Sequence, residues 1–223
     1  MHTSCSVIAV TVAVMIGGIQ GARAGRVAVP AVWQRAPQHI VLGRATLAPF
    51  AYTVFCLRHA AECRPRRSFR GGPVRLTEER WVDLQEINRA VNLAIVPVRN
   101  ELGVAGEEWV INPDRGDCND YAVSKRHELL QRGWPARVLL LSEVVLNSGE
   151  HHLVLLVRTR SGDLVLDNLT PQIKSWSRVP YRWVRLQLPG DSRLWATVVG
   201  KGISAGHLPL STSGKLQTIP ERI

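Results

Sequence analysis

An α+β fold is predicted for this 223-residue chain by three observations. Apolar residues recur at three- and four-residue steps from Trp81 to Ile95. A second helical segment opens at Cys118 with an acidic cap and a basic second half. After Pro135 the period changes to that of β-strands, which continue to Val199. Helices come first and an antiparallel sheet follows, the ordering of an α+β domain. The composition is 45% hydrophobic, 21% charged and 6% aromatic, which excludes collagen-like, coiled-coil and disordered chains. The length suits one domain with a sizeable core.

The elements follow in chain order. Val7 to Ile16 is an apolar run broken only by Thr11, followed by Gly17-Gly18 and the small-x-small triplet Ala22-Arg23-Ala24. That is the pattern of a cleaved export signal over residues 1–24. The run is too short to span a bilayer, so the expectation is a periplasmic or secreted protein with no stable membrane anchor after cleavage. Residues 25–49 read as an extended lead-in, 50–204 as the folded domain and 205–223 as a flexible tail. Cleavage would remove Cys5 and leave Cys56, Cys63 and Cys118. Cys56 and Cys63 are the natural disulfide pair, and closing so short a loop removes roughly 2.5 kcal/mol of unfolded-state entropy. His59 between them offers a zinc alternative, but no fourth ligand follows at a structural-zinc spacing and an oxidising compartment favours the bridge. Cys118 is left over.

Thr77 is a helix cap, Glu78 and Glu79 suit a first turn, and Pro97 ends the helix whose stripe is Trp81, Leu84, Ile87, Val91 and Ile95. Asn100 to Asp117 is loop-like. A second helix is expected from Cys118 to about Arg132, capped by Asp117 and stopped at Gly133. Strands are expected over 137–145, 152–159, 163–167, 181–188 and 194–199, with Asn147-Ser148-Gly149 and Ser161-Gly162 as turns.

The 28 Lys+Arg against 18 Asp+Glu give a net charge of +10. No window packs five or six basic residues together, so the excess reads as scattered over solvated faces. With no recognition helix and no aromatic-basic interleaving, nucleic acid is not an expected partner.

Chemistry is expected at Cys118. Backbone N–H groups and the helix dipole at a first turn stabilise an anion, so a thiol there is expected to titrate below its ordinary range. A nucleophilic cysteine needs a base within reach, and the base needs an orienting acceptor. His152 opens one apolar strand and Asp167 closes the next. Their parity in a hairpin puts both side chains on one face, with the competing base His151 on the other. A strict Ser161-Gly162 turn pairs Asp167 with Leu156, roughly 13 Å along the strand from His152. A longer loop around Thr159–Gly162, with a bulge at Gly162, is therefore expected.

These residues carry a family resemblance. Gly116-Asp117-Cys118-Asn119-Asp120-Tyr121-Ala122, then His152-Leu153-Val154-Leu155, then Leu166-Asp167-Asn168, resemble the bacterial transglutaminase-like cysteine proteinases, which include LapG-type periplasmic proteases. The segment from Leu76 to Trp109 matches the family's helix and the Trp before the Cys motif. The likeness covers roughly residues 50–200. It implies a papain/transglutaminase-like core, with a nucleophile-bearing helix on an antiparallel sheet and Cys118, His152 and Asp167 as the triad. It also implies Trp109 near the oxyanion and a protein substrate, such as a cell-surface or periplasmic protein. The sequence requires no cofactor. The family's calcium dependence points to Asp117, Asn119 and Asp120, where an Asn in place of an acidic residue weakens the site by one charge. The residues do not separate hydrolysis from transamidation. An inert basic binding module is the rival from another class.

Overall fold

The computed structural model describes residues 39–64, 71–99 and 107–199. The expected export signal, the tail beyond residue 204 and most of the lead-in lie outside the described residues.

Thr77 caps the first long helix as expected, its Oγ1 accepting the Arg80 N–H at 3.3 Å. The chain enters through strand β1 (Val41–Thr46), helix α1 (Phe50–Arg58) and the short helix α2 (Ala60–Cys63). Next come α3 (Glu78–Ala94), the two-residue strands β2 (Val96–Pro97) and β3 (Arg115–Gly116), and helix α4 (Cys118–Gln131), which opens at Cys118. Six strands follow: β4 (Leu139–Val145), β5 (His151–Thr159), β6 (Gly162–Leu166), β7 (Lys174–Ser175), β8 (Arg182–Leu188) and β9 (Asp191–Val199). β1 belongs to the domain rather than to a lead-in. It pairs with β9 at the edge of an antiparallel seven-stranded sheet ordered β1-β9-β8-β4-β5-β6-β7, while β2 and β3 pair separately in parallel.

The strands alternate between two apolar layers, as a period of two demands. Leu139, Leu141, Leu153, Leu155, Leu164 and Leu166 join α1, α3 and α4 in the larger core. Leu140, Val154, Leu156, Val165, Trp183 and Leu186 form a second core on the other face. Helix α4 lies between α3 and the sheet, so even its polar positions Ser124, Lys125 and Arg126 are buried.

Two buried carboxylates, Glu62 and Asp163, are paired with cations. The Cys56–Cys63 disulfide forms, which removes the zinc alternative with His59. It anchors α2, whose Glu62 reaches α4 through Arg126 (3.0 Å) and His127 Nδ1 (2.8 Å). Asp163 is fully buried and accepts from the Arg158 guanidinium, His39 and the Ile40 N–H, tying the start of the described chain to the β5–β6 hairpin.

That hairpin is tighter than expected. Thr159 pairs with Gly162, so its turn is Arg160-Ser161 alone, with no longer loop and no bulge. The Thr159 hydroxyl closes it, donating to the Gly162 carbonyl (2.7 Å) and accepting the Ser161 N–H (3.2 Å), while Gly162 takes the positive φ of 122° that L side chains avoid. The turn falls one residue earlier than Ser161-Gly162. Continued past Leu166, this register sets Asp167 across from Val154 instead of Leu156. His152 is then two residues away on the same side, roughly 7 Å, a gap two side chains can close.

Candidate active site

The helix side of the site is built locally. Asp117 caps α4 and accepts the Asn119 N–H at 2.9 Å. Asp120 returns the favour in a capping box, its Oδ2 accepting the Asp117 N–H (2.9 Å) and its Oδ1 the Val110 N–H (2.7 Å). A Cβ on Gly116 would lie 2.4 Å from Asp120 Oδ2 and 2.7 Å from its Cβ, so only glycine lets the chain pass over this carboxylate. The Gly-Asp-Cys-Asn-Asp run is thus a helix start that fixes Cys118 at its first position. Burial pushes the Asp120 carboxyl up to about 6.

Among the described residues Cys118 is the free thiol, partly buried and packed against the larger core. Its environment contradicts the expected low titration. Burial pushes it up to about 12, against a Leu153 N–H that favours the thiolate, and Asp117, Glu107 and Glu150 add repelling negative charge. A helix dipole amounts to about half a charge at its end and does not offset this burial and these carboxylates.

The strand side is built across the sheet. His152 is 5% exposed, and its Nε2 lies 2.9 Å from Asp167 Oδ1. Asp167 also accepts the Leu169 N–H at 3.0 Å and the Tyr181 hydroxyl, while Asn92 Nδ2 holds its backbone carbonyl at 2.9 Å. Burial alone would raise the Asp167 carboxyl, but the bonds from His152, Tyr181 and Leu169 outweigh it and hold it below the usual range. His152 alternates with Leu153, so its ring leaves the strand toward the second core, where the Tyr181 ring meets it edge-on at 6.0 Å. His151 leaves the opposite face of β5, with Nδ1 against Glu143 Oε1 (2.5 Å), and both residues also line the cavity that Cys118 reaches.

Cys118 and His152 line one cavity of about 790 Å³, whose wall includes Asp117, Asn119, Glu107 and Trp109. Among the described residues no hydrogen bond joins the sulfur to the ring. Slack of this kind is common before substrate binds. Two of the expected site residues have further partners. The Trp109 indole N–H donates to Glu107 Oε1 (2.8 Å), and its ring packs at a tilt against Tyr52 and Phe55. Asp120 has both oxygens engaged by backbone N–H groups and anchors the helix start. Glu107 is the carboxylate the sequence reading missed. It takes the Trp109 and Asn119 donors, and burial raises it, with Asp117 nearby adding repulsion. Nothing in a Gly-Glu-Glu-Trp loop marks it in advance. Among the described residues, no three His, Cys, Asp or Glu side chains converge as a metal cluster.

A family model described as bacterial transglutaminase-like cysteine proteinase matches residues 42–202. Legionella pneumophila LapG is a structural neighbour at 24% identity and TM-score 0.44, covering 52% of this chain and 68% of that one. Its calcium-bound form gives 24% identity and TM-score 0.46, covering 56% and 75%. No curated protein sequence matches.

Proposed function

The chain belongs to the bacterial transglutaminase-like cysteine proteinases and is a cysteine peptidase, and from that premise we propose that it hydrolyses peptide bonds of a protein substrate through Cys118, His152 and Asp167. The supporting observation is the 2.9 Å bond between Asp167 and His152, which lines one cavity with Cys118. With Nε2 engaged by Asp167, Nδ1 is the ring nitrogen free to exchange a proton with Sγ. A thiol held up by burial does not wait as a lone thiolate. It gives its proton to His152 as it attacks the carbonyl, and the imidazolium, steadied by Asp167, returns that proton to the leaving amine. Water then releases the acyl group by the same route in reverse. The Cys118 N–H, at the start of α4, is the donor nearest to where the oxyanion forms.

Glu107, Asp117 and Asn119 offer two carboxylates and an amide oxygen beside the sulfur, a set that suits calcium once water or backbone oxygens complete it. Charge neutralisation next to Cys118 is what the ion would supply. A LapG structure is calcium-bound, and calcium is proposed here on the donor set of this chain. Export to the periplasm or beyond is proposed on the apolar run at residues 7–16 and on the disulfide. Among the described residues, no helix is long and apolar enough to cross a membrane.

The test is incubation of wild type, Cys118→Ser and Glu107→Gln with a periplasmic and outer-membrane extract, with calcium chloride or with EGTA. Expected are shortened fragments of one target with wild type, none with Cys118→Ser, and a calcium requirement weakened in Glu107→Gln. Fragments persisting in Cys118→Ser would overturn the nucleophile. Crosslinked species in their place would make the enzyme a transamidase, and equal yields in EGTA would remove calcium.

A further inference from the structure

We infer that Tyr181 is a positioning residue for catalysis, acting through Asp167 on His152; this rests on the triad proposed above. Three contacts carry it. Its hydroxyl donates to Asp167 Oδ2, the oxygen that His152 does not use. Its ring packs edge-on against the His152 ring at 6.0 Å. Its backbone lies just before β8, separated in the sheet from β5 by β4, so it braces the dyad from a third segment of chain.

The geometry explains why a third support is needed. Asp167 falls just past the end of β6, where ladder hydrogen bonds no longer fix the chain. A carboxylate there rotates about its side-chain bonds unless both oxygens are held. The Leu169 N–H and His152 hold Oδ1, and Tyr181 holds Oδ2. The charged and titratable groups facing Asp167 are His152 from β5, Tyr181 before β8 and the buried Lys125 from α4. Of these, Tyr181 alone both bonds the carboxylate and touches the imidazole. Removing its hydroxyl leaves Oδ2 a buried acceptor without that donor and lets the carboxylate turn, so the imidazolium loses its fixed counter-charge.

The experiment is the rate of Cys118 alkylation by iodoacetamide from pH 5 to 10. The proteins are wild type, His152→Ala, Tyr181→Phe, Asp167→Asn and the Tyr181→Phe/Asp167→Asn double variant, each with its thermal unfolding curve. In Tyr181→Phe we expect the rate at neutral pH to fall about tenfold toward that of His152→Ala, with a displaced pH profile. In the Asp167→Asn background the same change should do nothing further, because its route is already cut. A profile superimposable on wild type, or an equal loss with and without Asp167, would overturn the inference. A merely structural role would move the melting temperature and leave the profile alone. If wild type and His152→Ala already share one profile, the triad itself fails and this role falls with it. If only Tyr181→Phe matches wild type, the triad stands and Tyr181 is dismissed.

Discussion

The two walls of the cavity are made by opposite means. On the helix wall, Asp117 and Asp120 bond to partners two to ten positions away. On the strand wall, His152 and Asp167 are 15 positions apart, Tyr181 is 14 from Asp167, and Asn92 is 75 from it. Their electrostatics differ as well. The helix wall gathers Asp117, Glu107 and Glu150 around a half-buried thiol and raises it. The strand wall gathers donors around Asp167 and keeps it ionised. In the proposed mechanism neither wall reacts alone: the thiol needs a base to take its proton, and that base stands on the other wall. On the mechanism proposed above, a proton crossing between them couples the two.

The largest effect should come from the strand wall. Asp167→Asn keeps the shape but loses the charge that steadies the imidazolium and fixes its tautomer. Fragment yield from the extract target should fall by about 10³- to 10⁴-fold, as it does when the analogous charge is removed from a serine-type triad. Because the buried carboxylate accepts from His152, Leu169 and Tyr181, stability should fall as well, by about 1–3 kcal/mol. A fall of less than about tenfold would show that His152 does not depend on this carboxylate.

Next is the helix wall. Gly116→Ala puts a methyl carbon 2.4 Å from Asp120 Oδ2, so the capping box must open or the chain must shift. Denaturant unfolding should show a loss of about 2 kcal/mol, combining overpacking with a lost cap. Cleavage should fall too, because the same shift displaces Cys118. Unchanged stability would mean that Asp120 gives way cheaply. The comparison between the walls sharpens here: one variant removes a charge and leaves Cys118 in place, the other displaces Cys118 and leaves the charge.

This difference also governs what was legible from the chain alone. Cys118 and its cap could be read because Asp117, Asp120 and Gly116 act within one turn of helix. His152 and Asp167 could be paired by parity because strands have a period of two, although the turn position was misread by one residue. Tyr181 and Glu107 gave no signal. Each owes its place to a partner on another segment, and spacing carries no record of that. β1 was missed because an edge strand with mostly exposed positions shows no apolar alternation. α1 was missed because its exposed Phe50 and Leu57 break the stripe formed by Ala51, Tyr52 and Phe55. The thiol's titration went wrong because burial on all sides of α4 is a tertiary fact.

Lys125 tests how far the strand wall reaches into α4, and its expected effect is the smallest. It lies two turns behind Cys118, 1% exposed, with Nζ 5.9 Å from the Tyr121 ring centre. Burial pulls its ammonium down to about 7, against an Asp167 charge that favours the protonated form. The sign follows directly. A lysine that titrates lower when folded binds fewer protons there than in the unfolded chain, so stability rises as pH climbs from about 7 toward the ordinary lysine value near 10.4. Lys125→Met should erase that rise. Wild type should gain on the variant by on the order of 2–4 kcal/mol across the window, read by urea unfolding at matched pH values. Below pH 7 the variant should be the more stable, since an apolar side chain of similar length avoids the cost of a buried ammonium. Parallel curves for the two proteins would show that Lys125 keeps its proton throughout and that Asp167 compensates it fully.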